Sequence, residues 1–284
     1  MPMELPAPGA VVPAWAKRQI FRNTGRFGMK PLKIAFYGKG GIGKSTVASN
    51  CAAVFAAAGL KVMQIGCDPK ADSTLSFRNG KPMPTVLDLI RTRQGSFTLD
   101  DMVHIGENGV ICLEAGGPEP GVGCAGRGII AALEKLQEKG AYERFQPDVV
   151  LYDVLGDVVC GGFSMPMRGG YADKVCIVTS GENMSIYAAA NIAMAAERFK
   201  GRGYAALGGF ILNARNVPDE EAKVRQLSED FHSSILGTIS RSPEIQQAED
   251  LHKPAVLAFP DSPAAQQFRK LAETLLRDTG KKIC

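Results

Sequence analysis

One short segment constrains the fold of this 284-residue chain more than any other. The segment Gly38–Ser45 reads GKGGIGKS, follows the apolar run Ile34–Tyr37 and precedes a helix-like stretch. It matches the pattern G-x-x-x-x-G-K-[ST] in the strand–loop–helix context that gives this pattern its meaning. Glycines there let backbone N–H groups turn toward phosphate oxygens, and the helix N-terminus adds partial positive charge. We therefore predict a phosphate-binding loop that holds MgATP.

Each residue of this loop has an expected role. Lys44 should reach the β- and γ-phosphates, and Ser45 should ligate Mg²⁺. Lys39 is an additional lysine at the second position of the loop, and without further information it could equally be an exposed loop residue. The predicted nucleotide-binding residues of the loop are Gly38, Gly40, Gly41, Ile42, Gly43, Lys44, Ser45 and Thr46.

The rest of the chain alternates strand-length apolar runs with helix-like segments. Continuous apolar strands that alternate with helices are typical of a parallel sheet covered on both faces, so the predicted fold class is α/β. Residues 31–284 should form one domain, and residues 1–30 a basic, mobile leader. The predicted strands are Ile34–Tyr37, Val62–Ile65, Val110–Leu113, Val149–Tyr152, Val175–Val178, Phe210–Leu212 and Ile235–Ile239.

Charge and hydropathy exclude several classes of protein. The whole formal net charge of +4 resides in the leader, so the body is neutral and nucleic-acid binding is not expected. No apolar run reaches the length of a membrane span, and the N-terminus lacks the apolar core of a secretory signal. These features predict a cytoplasmic protein that binds neither membrane nor nucleic acid.

Two acidic clusters follow predicted strands. Asp68 and Asp72 come after the second strand, and Asp153 and Asp157 come at the end of the fourth. Ligands of open α/β sheets bind at the carboxyl ends of strands, so both clusters should face the phosphates. Asp153 is the candidate for the acid that holds metal-bound water, and Asp68 and Asp157 are candidates to position or activate the attacking water. A helix cap or a turn is the alternative for any single aspartate.

Two of the seven cysteines lie in long Gly-rich segments. Cys124 ends GGPEPGVGC, and Cys160 ends DVLGDVVC, whereas no C-x-x-C pattern occurs. A [4Fe–4S] cluster normally needs four thiolates. A two-fold homodimer in which each subunit donates Cys124 and Cys160 to one shared cluster is the simplest arrangement. We interpret Cys51, Cys67, Cys112 and Cys176 as structural, as buried free cysteines commonly are, and terminal Cys284 as incidental.

Four motifs in this order resemble the nitrogenase iron protein family. They are GKGGIGKS, GCDPKADST, GGPEPGVGCAGRG and YDVLGDVVCGGF, and the resemblance covers roughly Leu32 to Phe268. The position of Lys39 is similar to the deviant phosphate loop shared by nitrogenase iron proteins, MinD and ParA. In that family this lysine crosses a dimer interface to the nucleotide of the other subunit. The resemblance thus implies a P-loop ATPase of the deviant Walker A type.

The resemblance also implies roles for individual residues. Cys124 and Cys160 would be the cluster ligands, and Asn213 would match a contact to the nucleotide base. Arg127 matches an arginine on the docking face that some members regulate by ADP-ribosylation, and Arg168 would share that face. The implied switch set is Asp68, Lys70, Asp72, Asp153 and Asp157.

The implied activity is ATP-dependent transfer of single low-potential electrons. A homodimer would receive electrons from ferredoxin or flavodoxin and dock transiently on a separate catalytic component. Unlike usual members, the chain has about thirty residues before the first strand, no long C-terminal extension and an altered Leu75–Thr85 segment. These differences favour a nitrogenase-like reductase, and methylthio-alkane reductase is the named candidate. The rival hypotheses are a non-redox ATPase of the MinD/ParA type and a scaffold for iron–sulfur cluster assembly.

Overall fold

A computed structural model describes residues 30–94, 96–106, 108–117, 125–156, 165–167, 170–198, 200 and 203–277, and at positions 125, 127 and 165 the backbone alone. The eight strands of the described residues form one sheet in the order β3-β4-β2-β5-β1-β6-β7-β8. All neighbouring strands are parallel except β3, which pairs antiparallel with β4. The strands are β1 Leu32–Tyr37, β2 Val62–Cys67, β3 His104–Ile105, β4 Ile111–Glu114, β5 Val149–Val154, β6 Lys174–Thr179, β7 Ala206–Asn213 and β8 Ile235–Ile239.

The sheet is covered by helices on both faces, as the alternating sequence pattern predicts. The α-helices are α1 Lys44–Ala57, α2 Val86–Arg93, α3 Leu99–Met102, α4 Ala125–Glu138, α5 Ala141–Phe145, α6 Asn183–Arg198, α7 Glu220–Asp230, α8 Pro243–Asp250, α9 Ala255–Ala258 and α10 Pro263–Leu276. Two further 3₁₀ turns span Leu75–Phe77 and Met165–Met167. The predicted α/β class with a mostly parallel sheet is therefore confirmed.

Side-chain alternation along β1 shows why the sheet has a core on each face. Ala35 and Tyr37 point into the layer that contains α4 and α6, whereas Ile34 and Phe36 point into the layer that contains α1 and α10. Burial of apolar area on both faces stabilises the sheet at roughly 25 cal/mol per Å². This explains why the central strands read as continuous apolar runs rather than as alternating ones.

The sequence predicted seven of these strands, six of them within two residues at each end, whereas β7 begins at Ala206, four residues before the predicted start. It missed β3, because two exposed residues carry no apolar period. Gly59 and Gly140 adopt positive φ angles of 83° and 71° just beyond helices α1 and α4, which is the usual conformation of a C-terminal glycine cap. None of the helices in the described part of the chain has the length and apolar character to cross a bilayer.

Candidate functional site

The phosphate loop joins β1 to α1 at the carboxyl edge of the sheet. Gly43, the N-cap of α1, has φ 95° and ψ 24°, a left-handed conformation that glycine adopts without strain. At Gly38 a Cβ atom would lie 2.1 Å from the carbonyl oxygen of Val178, so a larger residue would push the loop away from β6. The two glycines thus fix the path of the backbone around the predicted phosphates.

Residues after β7 hold this loop from the side. Asn213 Nδ2 donates a hydrogen bond to the Ile42 carbonyl at 2.7 Å, and Arg215 Nη2 donates to the Gly41 carbonyl at 2.8 Å. Within the loop, Lys44 Nζ donates to the Lys39 carbonyl at 3.1 Å. These bonds satisfy carbonyl groups on the outside of the loop, which holds its curvature.

Asp153 lies at the end of β5, directly beneath the start of α1. Its side chain is buried and accepts hydrogen bonds from Ser45 and Ser73. Burial raises the pKa of Asp153, while those two hydrogen bonds and the nearby charge of Lys44 oppose the rise. A hydroxyl and a carboxylate held together in this way match the protein side of a Mg²⁺ site, since Mg²⁺ usually takes few protein ligands and keeps several waters.

The predicted acidic loop after β2 faces the same cavity. Asp68 Oδ1 accepts a hydrogen bond from the backbone N–H of Lys70 at 2.9 Å, and Lys70 and Asp72 are exposed. Ala71 has a positive φ of 54°, which is uncommon for a residue with a Cβ atom. The loop therefore presents its charged side chains outward instead of burying them in the domain.

Fully buried Gln64 anchors the far end of this loop. Its Nε2 donates to Ser49 Oγ at 3.0 Å and to the Ser73 carbonyl at 2.9 Å. Ser49 Oγ in turn donates to the same Ser73 carbonyl at 3.1 Å. Strand β2, helix α1 and the acidic loop are thus tied to one another behind the phosphate loop.

A cavity of about 1110 Å³ lies over these groups. Its wall includes Lys44, Ser45, Asp68, Asp153, Asn213 and Arg215. It extends past β7 to helix α8 and the residues before α9. The size and the cationic, Gly-lined floor match a nucleoside triphosphate with its metal.

Lys39 lies on the other side of the loop from this cavity. It lines a smaller cavity of about 330 Å³, together with Glu182, Ser185, Arg215 and Arg241. Lys39 therefore does not turn into the nucleotide cavity of its own chain, whose wall it does not form. Gly40 and Gly41 border both spaces and are exposed.

Several predicted site residues lie outside the described residues. These are Asp157, Cys124, Cys160 and Arg168, and of Arg127 only the helical backbone near the start of α4 is described. The segments that carry the two cysteines follow β4 and β5, which are separated in the sheet by β2 alone. Both segments therefore leave the same edge of the sheet as the phosphate loop.

The sequence interpretation missed a set of buried polar residues behind the acidic loop. Gln64, Thr74, Arg78 and Glu114 are nearly inaccessible to solvent and bond to one another or to the loop. The available signal was a polar residue within an otherwise apolar strand, at Gln64 in β2 and at Glu114 in β4.

Together, the fold and site define a P-loop ATPase with a mostly parallel sheet, and solved structures support that class. MinD from Pyrococcus horikoshii OT3, complexed with Mg-ADP, superposes with a TM-score of 0.66 at 25% identity, covering 88% of this chain and 98% of that one. A ParA family ATPase from Chlorobium tepidum TLS gives a TM-score of 0.64 at 17% identity, covering 85% and 98%. These similarities confirm the predicted fold type.

Comparison with protein families is more specific. Residues 32–284 match the model of the 4Fe-4S iron sulfur cluster binding proteins, NifH/frxC family. The nitrogenase iron protein of Methanospirillum hungatei JF-1 is 53% identical over 251 residues, which is 87% of this chain and 88% of the relative. That of Methanococcus voltae is 48% identical over 244 residues, 86% and 87% of the two chains. The chain belongs to this family, which confirms the predicted class of ATP-hydrolysing iron–sulfur reductase component.

Proposed function

We propose that this protein is an ATP-dependent reductase that works as a homodimer and passes single electrons to a nitrogenase-type catalytic component. The observation that carries the proposal is the joint presence of the Ser45–Asp153 pair beneath the cavity and of the family's two Gly-rich cysteine segments in the sequence directly after β4 and β5, which end at that edge of the sheet. A plain partition ATPase needs the first feature and has no use for the second.

The described residues suggest how the chain handles the nucleotide. Lys44 and the N–H groups at the start of α1 would neutralise phosphate charge, and Ser45 and Asp153 would hold Mg²⁺ and its water. Asp68, at the end of β2, is the described candidate to orient the attacking water. Lys70, Asp72 and Asp157 would complete the switch set, and Asn213 would approach the base. Lys39, which faces away from its own cavity, would reach the nucleotide of the second subunit.

The described cysteines support the assignment of Cys124 and Cys160 as the cluster ligands. Cluster ligands are thiolates, and burial raises the pKa of Cys112 and Cys176 to about 12. Burial likewise raises the pKa of Cys51 and Cys67. Side chains of this kind favour the neutral thiol within a packed core, so a shared cluster would take its ligands from the two Gly-rich segments. The [4Fe–4S] group would supply one-electron chemistry.

The proposal extends to partners. Ferredoxin or flavodoxin would reduce the dimer in the cytoplasm, and Arg127 and Arg168 would lie on the face that docks on the catalytic component. The altered segment Leu75–Thr85 favours a nitrogenase-like partner, with methylthio-alkane reductase as the named candidate. The 53% identity to a nitrogenase iron protein favours nitrogenase itself as the second candidate. Anaerobic co-purification with the native partner, followed by assays with dinitrogen and with a methylthio-alkane, separates the two.

Iron analysis tests the central proposal. The anaerobically purified dimer should be brown and contain about four iron atoms per two chains. Cys124→Ala and Cys160→Ala should each lose the iron, whereas Cys51→Ala, a matched change at a buried cysteine, should retain it. A colourless ATPase that stays free of iron after anaerobic reconstitution would support the MinD/ParA-type alternative. Full iron content in Cys124→Ala would overturn the ligand assignment.

A further inference from the structure

A buried charged cluster, Thr74, Arg78 and Glu114, lies behind the acidic loop. Glu114 Oε1 accepts hydrogen bonds from the Thr74 backbone N–H at 2.8 Å and from Thr74 Oγ1 at 2.5 Å. Arg78 Nε donates to Thr74 Oγ1 at 3.2 Å, and Arg78 Nη2 lies 3.7 Å from Glu114 Oε1. Side-chain exposure is 2% for Arg78 and 0% for Glu114, so solvent screens this pair very little.

Burying this cluster in the core costs desolvation free energy that an apolar cluster would not. Glu114 Oε2 has no hydrogen-bond partner among the described residues. It also lies so close to Gly66 that a Cβ atom there would be 1.9 Å away. Burial raises the pKa of Glu114 to about 7, a second sign that its charged form is desolvated. Apolar side chains of the same volume commonly stabilise a fold as well as a buried ion pair does, so packing alone does not account for Glu114.

The position of Glu114 between two functional segments explains why a charged residue is buried there. It is the last residue of β4, and the chain runs from it through Gly117 into the segment that ends at Cys124. Its partner Thr74 is the last residue of the loop that contains Asp68, Lys70 and Asp72. The carboxylate of Glu114 therefore joins the base of the segment that carries a cysteine to the base of the loop that faces the phosphates.

A second contact joins the same two segments. Gly117 packs so closely on Pro69 that a Cβ atom at Gly117 would lie 2.4 Å from the Pro69 Cβ. The Ala115 N–H also donates to the Gly66 carbonyl at 2.8 Å, and this bond fixes the register of the end of β4 against the end of β2. The two segments are consequently held at two points, one polar and one steric.

We propose that Glu114 is a positioning residue that transmits movement of the Asp68–Thr74 loop to the segment leading to Cys124. The inference rests on the proposed function, because it assigns that segment to a cluster. A shift of Thr74 must either carry the carboxylate with it or break two short, charge-assisted hydrogen bonds, which are stronger than neutral ones. Movement at the phosphates thereby acquires a path to Cys124 that is separate from β5 and the segment with Cys160.

Hydrogen exchange measured by mass spectrometry on the anaerobically purified dimer tests this path. In the wild-type protein, MgATP should change exchange in peptides covering residues 38–46, 67–78 and 115–126. In Glu114→Ala, the response at 38–46 should remain, while the response at 115–126 should fall at least threefold. Glu114→Gln retains the acceptor oxygen and should restore at least half of it. Ser228→Ala removes another buried hydroxyl, in α7, and should leave all three responses unchanged.

The outcomes are separable. An undiminished response at 115–126 in folded Glu114→Ala would overturn the proposal, as would its absence in the wild-type protein when 38–46 responds. Should Glu114→Ala not fold, Thr74→Val decides, since it keeps the backbone bond to Glu114 and removes only the hydroxyl, which donates to Glu114 and accepts from Arg78. A response reduced at least twofold in Thr74→Val and retained in Thr74→Ser supports the path, and equal responses in both refute it. Failure of the proposed function would show instead as a wild-type dimer without iron.

Discussion

The ends of β4 and β5 carry two buried carboxylates that differ in their hydrogen-bond partners. Asp153 and Glu114 are 3% and 0% exposed, and burial raises the pKa of both. Asp153 bonds to Ser45 of the phosphate loop and lies near Lys44, so its charge is directed at the nucleotide cavity. Glu114 bonds to Thr74 and approaches Arg78, away from that cavity. Equal burial therefore does not imply equal function, because the partners decide what the charge does.

The largest expected effect is that of Asp153→Asn on turnover. The amide preserves shape but removes the charge that would hold Mg²⁺ and its water, so ATP hydrolysis should fall by ~10²–10³. Steady-state ATPase assays over a Mg²⁺ series provide the measurement. Glu114→Gln is the matched control at the other carboxylate and should stay within about threefold of wild type. Comparable losses in the two variants would show that the distinction between the carboxylates is wrong.

Gly66→Ala probes the packing of Glu114 without altering any charged group. The new methyl group would fall 1.9 Å from Glu114 Oε2 and 2.6 Å from the Ser73 Cβ. Over-packing of this kind costs about 1–3 kcal/mol, so the free energy of unfolding in urea should drop by that amount. Gly59→Ala serves as a control for space, since nothing lies within 4 Å of an added Cβ there, although its positive φ adds strain. An unchanged unfolding midpoint in Gly66→Ala would mean that Glu114 moves freely.

The stability of the protein should depend on pH through Glu114. Folding raises the pKa of Glu114 from 4.5 to about 7, so the unfolded chain loses this proton first as the pH rises. The associated stability is complete below about pH 4.5 and is lost as the pH rises through about 7. Glu114→Gln cannot titrate at this position. Its free energy of unfolding relative to wild type should rise by on the order of 2 kcal/mol between pH 5 and pH 8.

Urea unfolding curves of both proteins at several pH values measure this difference. Thr274→Val, which removes an exposed hydroxyl in α10, controls for effects of the remaining titratable groups. A difference between wild type and Glu114→Gln that stays constant across this range would contradict a raised pKa at Glu114.

The smallest expected effect is at Thr85, beside the Glu114 region. Thr85 caps α2, since its Oγ1 accepts a hydrogen bond from the Asp88 N–H at 3.1 Å. Thr85→Ala should lower the free energy of unfolding by about 1 kcal/mol. Thr85→Ser should lose only a small part of that stability, because serine keeps the capping oxygen. Thermal unfolding of the three proteins tests this. A loss in Thr85→Ser as large as in Thr85→Ala would assign the effect instead to the methyl group that packs near Gly116.

The phosphate loop, the sheet and the class of function could be predicted because they depend on local order in the sequence. A glycine pattern between an apolar run and a helix specifies a phosphate loop, and apolar runs that alternate with helices specify a covered parallel sheet. The location of Asp153 beside the cavity could also be predicted, since an acid at the end of a strand faces the ligand edge of such a sheet. The roles assigned to all the site residues stay predictions, and the side chains of Cys124, Cys160, Asp157, Arg127 and Arg168 also lie outside the described residues.

The sequence by itself determined which residues could bind phosphate, because a phosphate loop is formed by consecutive residues. Only the tertiary structure decided that Glu114 meets Thr74 and Arg78, residues 40 and 36 positions earlier in the chain. Strand β2 pairs with both β4 and β5, and this order places two carboxylates on either side of β2, each with different partners. The physical reason is that burial and hydrogen bonding depend on which strands become neighbours, and a parallel sheet brings together strands distant in sequence.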